Sequence, residues 1–266
     1  MTVTGHYAYV ADHYGGLQVI DVSDPANPQR VGGYPSGVVW DVAVSGQYAY
    51  VADDTGGLQI IDVSNPANPR QVGGYDTYGS ALGVAVSGSY AYVAYANRGL
   101  QVFDVSDPVN PQVVGWNWTR GLAVNVAVRD PYVYVADGPG GLQVFDVSNP
   151  ATPWQVGEFW GANTGFFERV VLSGEYIYAA NWVFGLQVFR IRPASPRLEG
   201  PLRLSAEGFQ VRLYAPVVGT YRLELSEDLE SWESLRTLSN VIGRLEFSDW
   251  SATSAVQRFY RAVRIQ

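Results

Sequence analysis

Cysteine is absent from the 266 residues, which excludes disulfides and thiolate metal sites and leaves the redox compartment open. Lysine is absent as well, since all 17 basic residues are arginine. Only two histidines occur, His6 and His13. So short a supply offers no credible Ser-His-Asp set and no two-histidine metal motif. No apolar run reaches the roughly eighteen residues that a membrane-spanning helix needs, so membrane insertion by a helix is not expected. Helical patterning is nearly missing, so no glycine-rich phosphate loop joins a strand to a helix. Positive charge is short overall, with a net charge of −8, which argues against nucleic acid and anionic membrane surfaces as partners. No signal peptide is visible, because Met1-Thr2-Val3-Thr4-Gly5 already reads as the end of a repeat strand. We take that as a mature, truncated or mis-started N-terminus.

What the chain has is repetition. The stretch Gly16-Leu17-Gln18-Val19-Ile20-Asp21-Val22-Ser23-Asp24-Pro25-Ala26-Asn27-Pro28 returns at Gly57, Gly99, Gly141 and, degraded, at Gly185. Its leucines are spaced by 41, 42, 42 and 44 residues. Before each copy stands a Tyr-Ala-Tyr-Val-Ala piece, as at Tyr48 to Ala52, and before that an apolar alternation ending in Ser-Gly, as at Val42 to Gly46. After the second proline comes a fourth piece, as at Gln29 to Gly32. Tyrosine and β-branched residues at period two, punctuated by Ser-Gly, Gly-Gly and Asp-Pro, are strands with turns between them. Four short strands recurring about every forty residues predict the blades of a propeller.

Two resemblances follow. Tyr48-Ala49-Tyr50-Val51-Ala52-Asp53, with Gly-Leu-Gln-Val-Ile-Asp-Val-Ser-Asp-Pro at Gly16 to Pro25, resembles the LVIVD repeat of bacterial and archaeal surface and secreted proteins. The resemblance covers residues 1–200 and implies a β-propeller in an extracellular or cell-surface setting, with no common enzymatic activity. It weakens in the fifth copy, where Arg190 replaces the aspartate and Arg192 the serine. From Pro201 the period is lost. Leu202 to Leu204, Phe209 to Leu213, Tyr221 to Leu225, Ser234 to Leu238, Leu245 to Phe247 and Phe259 to Ile265 read as strands of a small Ig/FnIII-like sandwich. Ser226 to Trp232 with Arg258 to Arg261 resembles the short β modules that end many secreted bacterial proteins, which implies attachment or adhesion.

The expected fold is therefore all-β. Residues 1–200 form a five-bladed propeller and residues 201–266 a small antiparallel sandwich. Pro193 to Gly200 echoes Pro25 to Gly32, so the fifth blade is expected nearly complete.

Propeller topology puts the nearly constant turns on one rim and the variable loops and crossovers on the other. Varied loops on a rigid scaffold are free to recognise. The variable rim is also aromatic: Tyr14, Tyr78, Trp116, Trp118, Arg120, Trp160 and Trp182 are its candidate binding residues, of types that anchor interfaces. The alternative is that such rings fill the taper between blades, since large apolar side chains are usually buried. Trp40 is the clearest core candidate, and Trp118 and Trp182 the best candidates for exposure. Asp41, Asn125 and Arg169 hold equivalent inner-strand positions and are expected at the channel mouth, as a hydrated plug or a small site.

Asp12, Asp53 and Asp137 end the second strands. A carboxylate ring can hold calcium, and Asp53 with Asp54 is the pair worth that test. An aspartate before a Gly-rich turn otherwise caps it. Asp21, Asp62, Asp104 and Asp146 are read as turn caps. Asn117-Trp118-Thr119 fits a glycosylation acceptor. The function expected is a non-enzymatic scaffold that assembles into a homo-oligomer or filament through propeller–sandwich contacts. The alternative is an adhesin that binds a polysaccharide or surface protein. An enzyme would have to draw on His6, His13, Asp41 and Arg169.

Overall fold

The computed structural model describes residues 1–76, 79–159, 165–191, 197–205, 208–226, 230–231, 233–249 and 259–265. All regular structure in them is β. The chain divides into two compact units, Met1–Ile191 and Arg192–Gln266.

Unit one holds successive antiparallel sheets, each with its strands in chain order. The first has β1 (Thr2–Thr4), β2 (Tyr7–Ala11), β3 (Leu17–Asp21) and β4 (Gln29–Tyr34). The second has β5 (Val39–Ser45), β6 (Tyr48–Asp53), β7 (Gly57–Asp62) and β8 (Arg70–Tyr75). The third has β9 (Gly83–Ser87), β10 (Tyr90–Ala94), β11 (Leu100–Asp104) and β12 (Gln112–Asn117). The fourth has β13 (Asn125–Arg129), β14 (Tyr132–Ala136), β15 (Leu142–Asp146) and β16 (Trp154–Phe159). The fifth has three strands among the described residues, β17 (Phe167–Ser173), β18 (Tyr176–Asn181) and β19 (Gly185–Arg190).

Strand alternation puts every second side chain on one sheet face, and between successive repeat sheets such faces meet. Tyr50, Ala52, Leu58 and Ile60 of the second sheet share a core with Val84, Ala91, Val93 and Phe103 of the third. Tyr92, Leu100 and Val102 then meet Val126, Val133 and Phe145 of the fourth. The repeat motif explains the rest. The glutamine of Gly-Leu-Gln holds the outer strand to the loop: Gln59 Nε2 donates to the Gly56 carbonyl, and its Oε1 accepts from Gln71. Asp62 Oδ1 accepts the Ser64 N–H at 2.8 Å, as Asp21, Asp104 and Asp146 accept from Ser23, Ser106 and Ser148. The Ser64 side chain first, and its N–H second, hold the Asp62 carboxyl below the usual carboxylate range. In the fifth sheet Arg190 takes the capping position and pairs instead with Glu175 at 2.9 Å.

The second unit is one sheet, β20 (Arg197–Ser205), β21 (Gly208–Ser226) and β22 (Glu233–Asp249), with β23 (Phe259–Arg264) on β21. The sequence predicts six short strands; among the described residues there are four, of which β21 and β22 each span two of the expected ones. Pro216 and Gly219 do not end β21, because register shifts between Ala215 and Tyr221 absorb them as irregularities. The expected boundary at residue 200 falls inside β20. Arg197 to Glu199, read as an echo of the fourth piece, pairs with Tyr214 to Arg212 of β21 and not with β19. Among the described residues the fifth sheet therefore has no fourth strand.

Candidate functional site: the channel mouth and the aromatic rim

The inner strands of all five repeat sheets border one central cavity of about 370 Å³, lined by residues from Met1, Asp41, Val84, Asn125 and Arg169 onward. Asp41, Asn125 and Arg169 sit one step before Val42, Val126 and Val170, at the same register on β5, β13 and β17. That shared register brings them together. Asn125 Nδ2 donates to Asp41 Oδ2 at 3.1 Å, and an Arg169 guanidinium nitrogen lies 3.2 Å from Asp41 Oδ1. The Met1 amino group lies 3.9 Å from the same oxygen. Asn125 Oδ1 in turn accepts the Val170 N–H at 3.0 Å. Burial pushes the Asp41 carboxyl up, against the pull of Arg169 and the Met1 amine. The cluster is a chain of mutually satisfied groups across three inner strands, β5, β13 and β17. Such an arrangement can plug a channel by tying its walls together.

Of the three aspartates that end second strands, Asp53 and Asp137 accept from the crossover that enters their own sheet. Asp53 Oδ2 accepts from the Ser36 hydroxyl and from the Gly37 N–H at 3.1 Å. Asp137 Oδ2 accepts the Gly121 N–H at 2.8 Å, and burial raises its pKa. Asp12 lies against Gly15, where a Cβ would stand 2.2 Å from Oδ2. Asp54 adopts a positive φ of 32°, and its backbone pairs with Ala81 of the next sheet. Among the described residues no three His, Cys, Asp or Glu side chains gather as a metal site would require.

The rim of loops and crossovers carries exposed rings in small groups. Tyr14 is 81% exposed; its ring lies edge-on to His13 at 4.3 Å, and His13 in turn meets Trp40 at 4.8 Å. Trp116 and Trp118, both exposed, meet edge-on at 5.7 Å. Arg120 pairs with Glu158 at 3.5 Å. Trp182, also exposed, stacks on Phe166 at 4.3 Å and donates its Nε1–H to Glu168 at 2.6 Å. Tyr78 and Trp160 lie outside the described residues.

Trp40 corrects the expectation of a core residue: it is 46% exposed. The register shifts between Val39 and Asp41, so Trp40 has no partner on β6 and turns outward as the bulged residue. Glu168 occupies the matching bulge of β17. His13 and Glu168 were not singled out for the rim. The signal for the bulge is the break in alternation at Val38-Val39-Trp40-Asp41.

The LVIVD repeat family matches residues 1–35, 36–77, 78–118 and 120–160, more than half of the chain. No curated protein matches it in sequence. Among solved structures, the computationally designed Ika8 protein aligns with a TM-score of 0.56 at 10% identity, over 91% of this chain and 74% of that one. The Myceliophteria thermophila Cps50 (Swd1) beta-propeller domain aligns with a TM-score of 0.57 at 14% identity, over 71% of this chain and 67% of that one. At such identities the likeness is one of fold. Four consecutive repeats and a propeller neighbour make this chain a member of the LVIVD-repeat β-propellers.

Proposed function

We propose that this chain is a non-enzymatic interaction scaffold of the cell surface or extracellular space. In this reading the five repeat sheets are the blades of one propeller, and the C-terminal unit is a small sandwich that joins the chain to neighbouring copies or to a surface. The observation that carries it is the channel mouth. Asp41, Asn125 and Arg169 satisfy one another, so the groups an enzyme would draw on there already have protein partners. Self-association into a homo-oligomer or filament is the expected activity, and it needs neither calcium nor another cofactor. Light scattering after gel filtration, with electron microscopy of the same fractions, tests it. Concentration-dependent rings or fibres that persist in EDTA support the scaffold, and a monodisperse 29.1 kDa particle counts against assembly.

The exposure of Tyr14, Trp118 and Trp182 favours a second reading, an adhesin whose aromatic rim stacks on a polysaccharide or caps a surface protein. A panel of immobilised glycans and surface proteins tests it. Binding lost in Trp118→Ala supports the rim, and binding untouched by Trp118→Ala and Tyr14→Ala removes it.

A further inference from the structure

The outer strands of the repeat sheets share one register, and the third and fourth sheets depart from the others at two places in it. Trp116 of β12 pairs with Gln101. The same place is held by Gly33 opposite Gln18, Gly74 opposite Gln59 and Glu158 opposite Gln143. Trp154 of β16 pairs with Asp146, where the other sheets set Gln29, Arg70 and Gln112 opposite their aspartates. Trp118, just beyond β12, stands where the first two repeats have Pro35 and Asp76. The ladders form with glycine or a polar side chain at these positions, so the fold does not require the three indoles.

Folding gathers them. Asn117, between Trp116 and Trp118, donates from Nδ2 to the Pro153 carbonyl at 2.9 Å, and Trp154 is the next residue. A Cβ on Gly115 would lie 3.0 Å from Pro153 Cδ, so the two outer strands touch at this point. All three indoles therefore stand within one residue of a single hydrogen bond. They are 56%, 58% and 44% exposed in chain order. Trp116 and Trp118 meet at 85°, an edge-on contact that engages one face of one ring only. Beside them Arg120 and Glu158 form an ion pair at 3.5 Å, and Gln155 donates to Glu158 at 3.0 Å. Exposed apolar surface gathered in this way marks an interaction site.

We propose that Trp116, Trp118 and Trp154 form a platform for a neutral polysaccharide, whose hexose rings lie against the indoles. A hexopyranose has an apolar C–H face and an edge of hydroxyls. The indoles supply rigid contact area for that face at low entropic cost. Arg120, Glu158 and Gln155 at the margin supply planar donors and acceptors for the hydroxyls. The charges at the margin pair with each other, which gives a charged partner no counter-charge to meet, and the net charge of −8 repels polyanions. The inference rests on the adhesin reading of the proposed function and deepens it. It names a sugar as the partner, and it places the site on the outer strands of the third and fourth sheets in place of the loops at Tyr14 and Trp182.

Two substitutions test it in the full chain, Trp116→Gly and Trp154→Gln. Each installs a residue that other sheets carry at the same register, so the fold is expected to persist, as circular dichroism checks. The readout is affinity electrophoresis in gels cast with hydroxyethylcellulose, laminarin, glycogen or the polyanion alginate, with a pull-down on chitin. At least one neutral polysaccharide is expected to retard the wild type. Each variant is expected to bind it at least about tenfold more weakly, whereas Tyr14→Ala and Trp182→Ala bind as the wild type does. Binding that falls in Tyr14→Ala or Trp182→Ala and survives both platform substitutions overturns this site and leaves the adhesin reading standing. Retardation by alginate alone overturns the neutral sugar. A chain that binds none of these polysaccharides overturns the platform, and the adhesin reading then stands only on binding to a surface protein.

Discussion

Gly73 lies directly beneath the backbone of Pro108: a Cβ on Gly73 would stand 2.1 Å from the Pro108 carbonyl oxygen. The same closeness joins Gly32 to Pro66 and Gly115 to Pro150. The glycine of each fourth strand is thus the seat for the Asp/Asn-Pro turn of the next sheet. One motif element receives another one repeat later.

Gly73→Ala is therefore expected to force the second and third sheets apart, at a cost of about 1–3 kcal/mol. Gly46 provides the contrast. It has a positive φ of 60° and open space around it, so Gly46→Ala carries only the left-handed backbone cost, about 1 kcal/mol. Urea midpoints of both variants decide the matter. A Gly73→Ala chain as stable as Gly46→Ala would remove the seat from the account.

Asp41 makes stability depend on pH. Its carboxyl is raised above the ordinary value of 3.8, chiefly by burial. The folded state then binds the proton more tightly than the unfolded chain. Its contribution is full below that ordinary value and is lost as pH rises through the raised one. Asp41→Asn is expected to flatten the fall in urea midpoint between acid and neutral pH. Asp137, raised by the same cause, adds a contribution of the same sign, and Asp62, held low, one of the opposite sign, so the readout is the difference in slope between the two proteins. Equal slopes in the two proteins would show that Asp41 is not the group responsible.

Exposed and buried rings are expected to separate cleanly. Phe103 is fully buried at the junction of the second and third sheets, and Phe103→Ala should cost about 3–5 kcal/mol. Trp118, on the rim, should cost no more than about 0.5 kcal/mol when truncated. Thermal melts of the two variants provide the check, and a large loss in Trp118→Ala would make that ring part of the scaffold.

Gln59 is buried and holds both the Gly56 carbonyl and Gln71. Gln59→Leu keeps the volume and removes the side-chain partner of the half-buried Gly56 carbonyl, an expected loss of about 1 kcal/mol. Hydrogen exchange should rise first at the loop around Gly56. Protection there equal to the wild type would remove the tether from the account.

Much of this was legible in the chain. Asp62 and Ser64 are two residues apart, and Gln59 and Gly56 three, so their bonds follow from local geometry that each copy repeats. The common register of Asp41, Asn125 and Arg169 was legible for the same reason. Trp40 was misjudged because hydrophobicity argues for burial, whereas a one-residue bulge turned the ring outward. Leu186 reads like Leu58 in sequence, and nothing local distinguishes the exposed position from the buried one.

The sequence by itself determined the period, the strands of the first four repeats and the turn caps, because each depends on residues close along the chain or repeated at a constant spacing. Tertiary structure decided which rings stay in solvent, that Arg169 reaches Asp41 across the channel mouth, that Arg197 to Glu199 joins β21, and that Leu186 and Val188 are exposed where Leu58 and Ile60 are buried. Those outcomes depend on what packs alongside, and burial is a property of neighbours rather than of the residue.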